Sequence, residues 1–202
     1  EERGEEDFPF LFRNGPQVSN LNRRNADLTA RYADVNGGLG IGEHTRLTVF
    51  GSAALSERGV GGPVVSPFSS SVARQTDKDY LVQAALYSRG AENVGFGFTA
   101  QAHVAYERYR DPNLNIGGRV LDSYFKNNDV RIEPHVDITV NELMKVGIGS
   151  ELVRTFAEGN SIAKDVERTQ LGTFLAGEVK LVKEHGVVSD VSLFPSVRLD
   201  AI

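Results

Sequence analysis

The sequence predicts an all-β fold: an antiparallel transmembrane β-barrel, about eight strands here, drawn from a larger barrel. Three observations predict it. Apolar residues recur at every second position over long stretches, connections alternate short and long, and aromatic residues gather near the long connections. An alternating face is the mark of a strand, because successive side chains point to opposite sides.

The strands are expected near 27–40, 45–56, 77–88, 94–109, 124–140, 145–156, 167–182 and 187–200. The first two alternate poorly, with Asp34 and Asn36 in phase with Leu28 and Tyr32. The third places Tyr80, Val82, Ala84 and Leu86 on one face. In the fourth, Val94, Phe96, Phe98, Ala100, Ala102, Val104 and Tyr106 form an unbroken apolar face. That face alone is longer than a whole average soluble strand. The fifth sets Val130, Ile132, Pro134, Val136, Ile138 and Val140 against Arg131, Glu133, His135, Asp137 and Thr139. The seventh and eighth repeat the pattern, with Leu171, Leu175 and Leu181, then Val191, Leu193, Val197 and Leu199.

Short connections fall at Gly42–Thr45, Arg89–Asn93, Asn141–Met144 and Lys183–Gly186. Long ones fall at Glu57–Thr76, Arg110–Ser123 and Ala157–Glu167, and residues 1–25 read as the end of another. That alternation is the pattern of outer-membrane barrels. Tyr80, Tyr106, Tyr124 and Phe156 lie near the long-connection ends, where an interfacial aromatic belt sits. Two features run against it: the chain has no Trp, and Arg154 falls on the lipid-assigned face, where it has to snorkel to the interface.

Composition narrows the function. The chain has 22 Lys+Arg against 27 Asp+Glu and a formal charge of −5, with no basic block, which argues against a nucleic-acid partner. It contains no Cys, so disulfides, thiolate catalysis and iron–sulfur ligation are excluded. A hydrophobic content of 40% is also what alternating lipid-facing and lumen-facing residues produce. No run approaches the roughly 18 apolar residues of a membrane helix. The acidic start, Glu-Glu-Arg-Gly-Glu-Glu-Asp, is the opposite of a secretory leader. With short turns on the periplasmic side, both chain ends would lie outside the cell, and the final Arg-Leu-Asp-Ala-Ile lacks a closing aromatic. Residues 1–202 are therefore expected to be one barrel segment, a slice of a larger wall.

Ser56-Glu57-Arg58-Gly59-Val60-Gly61-Gly62-Pro63-Val64, followed by Ala73-Arg74-Gln75, resembles barrel segments of TonB-dependent outer-membrane receptors, especially the cobalamin-receptor-like branch. Tyr109-Arg110-Asp111-Pro112, Ser123-Tyr124-Phe125-Lys126-Asn127-Asn128 and Leu193-Phe194-Pro195-Ser196-Val197-Arg198-Leu199-Asp200 are similar to strand–loop junctions of that family, with Leu199 where Tyr is commoner. The similarity runs from about Phe8 onward in the right order. It implies a plugged barrel of about 22 strands, of which this chain supplies a part of the wall, without plug or TonB-contacting box. It implies a bacterial outer-membrane location, uptake of a large scarce nutrient such as a cobalamin or siderophore, and energy through the TonB complex. It implies lipid bilayer and lipopolysaccharide as the other partners. The alternatives are a structural or adhesion-type barrel without transport, and a soluble β-barrel holding a small apolar ligand.

No enzyme can be assembled from the motifs, because no Gly-x-Ser-x-Gly or phosphate-cradling loop occurs. No cofactor is expected. His103 and His135 share the polar face with Glu107, Glu133 and Asp137, but a symmetric count from the 110–123 loop sets His135 opposite Thr99, so no metal site is expected. Ligand contacts are expected at the outer mouth: Arg58, Phe68, Arg74, Tyr109 and Arg110, a mixed basic and aromatic set suited to a large anionic or amphipathic molecule.

Overall fold

The computed structural model describes the chain except residues 1, 5–7, 62–70, 91–92, 117–118, 161, 163, 186–187 and 202. Every regular element among the described residues is a strand. They are β1 (Glu2–Gly4), β2 (Phe8–Asn14), β3 (Gln17–Arg23), β4 (Leu28–Ile41), β5 (Thr45–Val60), β6 (Ala73–Arg89), β7 (Val94–Ile116), β8 (Arg119–Asn141), β9 (Met144–Gly159), β10 (Val166–His185), β11 (Val188–Leu193) and β12 (Ser196–Ala201). Strands β4 to β10 form one antiparallel meander, each paired with the next. The short β1 pairs the start of β4, while β11 and β12 both pair β10. Among the described residues the sheet is open: no pairing joins β4 to β11 or β12.

The eight expected strands are present, several of them longer than expected. The seventy-seventh residue does not begin the third, which starts at Ala73. Most of the Arg110–Ser123 connection is an extension of the β7–β8 ladder, which resumes at Asn115–Val120 after an irregularity beyond Asp111. The last expected strand is split, because Phe194 and Pro195 interrupt it between β11 and β12. Proline has no N–H for the ladder, although its carbonyl still accepts from the Gly177 amide at 2.8 Å. Residues 1–25 are not one connection. They contain β1 and a β2–β3 hairpin turned at Gly15, whose φ of 59° favours glycine.

Register explains the poor alternation of the first expected strand. Pairing of Leu28 with Arg58, Tyr32 with Ala54 and Asp34 with Ser52 puts the even residues of β4 on the polar face. The opposite face carries Ala33, Val35, Leu39 and Ile41, in line with Ala53, Gly51, Leu47 and Thr45 of β5. Leu28 and Tyr32 therefore belong with the polar set, in phase with Asp34 and Asn36.

The resulting apolar face is continuous. One row reads Gly37, Val49, Ala84, Ala100, Ile132, Leu152 and Leu171 across seven strands. The face is longest in β7, from Val94 to Tyr106, beyond the roughly 9–11 residues a tilted strand needs to cross a bilayer. Its side chains are open: Val35 is 69% exposed, Val82 58% and Ile148 54%. The only buried hydrophobic residues among those described are Ala30 and Ala73, whereas Glu151 of the polar face is 3% exposed. A water-soluble domain of this size buries its large aliphatic side chains and leaves its carboxylates outside. Here the large aliphatic side chains stand outside, and the one buried carboxylate among the described residues is Glu151.

The short-connection end is tied by backbone bonds between neighbouring turns. The amides of Arg89, Thr139 and Lys180 donate to the carbonyls of His44, Asn93 and Leu143, each at 2.8 Å. Gly42 takes a φ of 65° to turn β4 into β5. In the Asn141–Met144 turn, the Leu143 amide donates to the Asn141 side chain at 2.8 Å.

Candidate functional site

Side chains with chemistry collect in three places: the long-connection mouth, the middle of the polar face, and a groove near the short turns. The mouth is built around Asn25, a non-glycine residue with φ of 56°. Its side-chain amide donates to the carbonyl of Ala73 at 2.6 Å and of Val60 at 3.3 Å, bridging the ends of β5 and β6. The Gly59 amide donates to the Asp27 carbonyl at 2.9 Å, and a Cβ on Gly59 would collide with the Asn25 backbone. Arg74 then holds the segment, donating to Asp27 at 2.7 Å and to Glu57 at 3.0 and 3.2 Å.

The Arg74 guanidinium lowers the Asp27 carboxyl below the ordinary carboxylate range. A depressed folded-state value stabilises the folded form above the unfolded pKa of about 4, and that contribution is lost as pH falls through the depressed value. A spin label at residue 24 should therefore stay immobile at neutral pH and loosen only under acid. Asp27→Asn should be loose throughout. Unchanged mobility down to about pH 2 would remove Asp27 from this role.

Arg108 clasps Asp122 with bonds of 2.8 and 2.6 Å, and that hydrogen-bonded charge lowers the Asp122 carboxyl too. Tyr106 and Tyr124 stack beside this pair with centroids 6.4 Å apart. Lys78 lies over the Tyr106 ring, 5.7 Å from its centroid. Arg154 does find a way to sit on the apolar face: it donates to Glu167 at 2.8 Å and covers the Phe156 ring.

The expected ligand contacts do not share one surface. Register places Arg58 and Tyr109 on the polar face, one on each side of Gln75. Arg74 and Arg110 pair directly with each other on the apolar face. Phe68 lies outside the described residues.

On the polar face, His103 bridges two strands' carboxylates. Its Nε2 is 2.8 Å from Asp79 and its Nδ1 is 3.4 Å from Asp129, which also accepts from Thr155 and Asn127, each at 2.6 Å. No group of three or more metal-ligating side chains occurs among the described residues. His135 does not stand opposite Thr99. The ladder sets it opposite Gly97, because three residues of β7 are absorbed between Asp111 and Asn115, which displaces the symmetric count.

Among the described residues Glu151 is the most deeply placed charge, 3% exposed. Arg131 Nε lies 2.7 Å from one of its oxygens, and Arg198 donates to the other while also reaching Asp200 at 2.8 Å. Sequence spacing hid this group, since its partners come from β8 and β12. The visible signal was a lone acid in phase with Gly147 and Gly149. Glu151→Gln should lower stability by about 1–3 kcal/mol, as read from chemical unfolding. The two arginines are about half exposed, and water compensates them. A neutral result would mean the carboxylate is dispensable.

The groove near the short turns is lined by Tyr87, Arg89, Asp137, Lys145, Glu178 and Phe194. Its charges are mixed, and Lys145 and Glu178 lie 3.6 Å apart.

No protein-family model matches the chain, and no curated protein matches it.

Proposed function

We propose that this chain is membrane-spanning wall of a bacterial outer-membrane β-barrel of the TonB-dependent receptor kind, serving uptake of a large scarce nutrient. The observation that carries the membrane part is the inversion of the sheet. Its aliphatic face is open, with Val35 69%, Val82 58% and Ile148 54% exposed, while Glu151 on the charged face is 3% exposed. Burying an aliphatic side chain of that face in lipid is worth about 1.5–3 kcal/mol, which water does not supply. The alternating connections give the wall a turn side and a mouth side. The order of receptor-like segments from Ser56 to Asp200 supports the receptor part.

In that reading the open edges at β4 and β12 take further strands of the barrel, and a plug occupies the lumen. Arg58 and Tyr109 face the lumen at the mouth, where they meet an anionic or amphipathic ligand. The Asn25–Arg74 clasp keeps the β5–β6 mouth in shape. Transport itself belongs to the plug and the TonB complex, and this chain supplies wall, lipid contact and external arms.

Extraction tests the membrane part. The chain is expected to remain with the membrane pellet through alkaline washing and to enter solution only with detergent. Folded, monodisperse protein obtained without detergent would overturn it and favour the soluble barrel. The receptor part is tested by the open reading frame that encodes this chain: a plug-like domain with a TonB-contacting box supports transport, and a frame without one favours an anchoring barrel.

A further inference from the structure

The apolar face has one polar interruption, and it is confined to one sector. Two neighbouring rows read Ala53, Tyr80 and Val104, then Gly51, Val82 and Ala102, across β5 to β7. Continued across β8 to β10, the same rows contain Asn128, Phe156 and Glu167, then Val130, Arg154 and Thr169. Arg154 stands one row from Ala100, Ile132 and Leu152, deep in the aliphatic zone. Hydrocarbon strongly disfavours a charge at that level, and it offers the Asn128 carboxamide no hydrogen bond.

The ion pair in this sector is only half used. Arg154 Nε and Nη2 both donate to the same oxygen, Oε1 of Glu167, the first at 2.8 Å. Among the described residues those bonds leave Oε2 of Glu167 and Nη1 of Arg154 open. Both side chains are about half exposed, at 54% and 51%. The Phe156 ring lies 4.8 Å from the guanidinium and backs it against Glu167, so the two charged heads share one height.

We propose that this sector is a contact between two copies of the chain within the membrane, with Arg154 of each copy on Glu167 of the other. The inference rests on the membrane-spanning reading above and adds a protein occupant where lipid fits the wall poorly. Charge complementarity selects a second copy, because the patch carries one cation and one anion side by side, on β9 and β10. A two-fold axis along the membrane normal between those strands sets β9 of one copy opposite β10 of the other. Each open Nη1 then meets the open Oε2 across the axis, and the patch is its own complement. Asn128 and Thr169 add side-chain hydrogen bonds of the kind that joins segments inside membranes. Val130, Leu152 and Leu171 pack around them.

The test uses the full chain in phosphatidylcholine vesicles, one population labelled with an energy-transfer donor and another with an acceptor. Wild type should show transfer that persists when the vesicles are diluted with excess lipid. Arg154→Glu and Glu167→Arg should each self-associate about tenfold more weakly, because like charges then face each other. Mixing the two variants should restore transfer, since every contact across the axis is again between opposite charges. The pair within each variant chain stays broken, so only contact between copies produces that rescue. Arg154→Leu combined with Glu167→Leu takes charge off the wall and should insert as a monomer. A mixture that transfers no better than its components, or a double-leucine protein as associated as wild type, would overturn the contact. Wild type that inserts but loses its transfer on lipid dilution would overturn it as well and leave the membrane reading intact. Folded chain recovered from water without detergent or lipid would remove both readings together.

Discussion

Gly149→Val is expected to destabilise the sheet by about 1–3 kcal/mol or more, while Gly37→Val should be close to neutral. Both glycines lie in the meander, Gly37 on the apolar face of β4 and Gly149 on the polar face of β9, and their surroundings differ. A Cβ on Gly149 would collide with the Phe174 ring and come within 2.9 Å of the His135 Cβ. The ring can swing aside, but the His135 Cβ is fixed to β8, directly opposite Gly149 in the ladder. A Cβ on Gly37 meets nothing within 4 Å. The same device recurs one strand over, where the His135 ring covers Gly97, and again where the Tyr87 hydroxyl covers Gly95. Aromatic rings from one strand therefore shield the bare backbone of the next along the polar face. Combining Gly149→Val with Phe174→Ala should recover part of the loss, because the pair shares one space. Urea titration in detergent micelles measures each variant. A Gly149 variant as stable as the Gly37 variant would sink this account of the seam.

That seam marks where the sequence stopped being legible. Alternation in Val94–Tyr106 and Val130–Val140 was sufficient to expose strands and faces, because period two is a local property. The partner of each residue is not local. His135 was placed two residues away from its true position because a symmetric loop count cannot see the bulge after Asp111. In β4, Gly37 dilutes the apolar set while Leu28 and Tyr32 stand in phase with Asp34 and Asn36, so alternation alone left its faces unresolved; pairing with β5 resolves them. The mouth was legible as a place and not as a surface. Arg74 and Arg58 are close in the chain to the same loop, yet they stand on opposite faces, and Arg74 is tied to Asp27 and Glu57. Glu151 was missed for the same reason as His103's carboxylates: its cations arrive from other strands. Extension of β7 and β8 into an expected loop reflects cross-strand pairs such as Arg108–Asp122 and the Tyr106–Tyr124 stack, which hold the arm together past the border of the apolar zone.

Ala100→Arg separates a lipid-facing wall from a soluble sheet more sharply than any change on the polar face. Ala100 stands mid-row between Ala84 and Ile132, with apolar rows on both sides of it along β7. In a bilayer, an arginine there faces hydrocarbon near the midplane and costs about 2–4 kcal/mol. On a sheet face open to water, the same arginine would be solvated, and surface substitutions of that kind stay within about 0.5 kcal/mol. Thr99→Arg is the matched control. It carries the same charge one residue away, on the polar face opposite Glu133, where an acid is at hand. The expected result is a large loss for Ala100→Arg in bilayers and a small change for Thr99→Arg, measured by reversible unfolding from vesicles. A buried soluble core on the apolar face would also penalise Ala100→Arg, so the protein's behaviour without detergent has to be compared. If both variants unfold alike, the face that carries Val82, Phe98 and Ile132 does not meet lipid, because the hydrocarbon penalty follows depth and facing and a merely exposed sheet has neither.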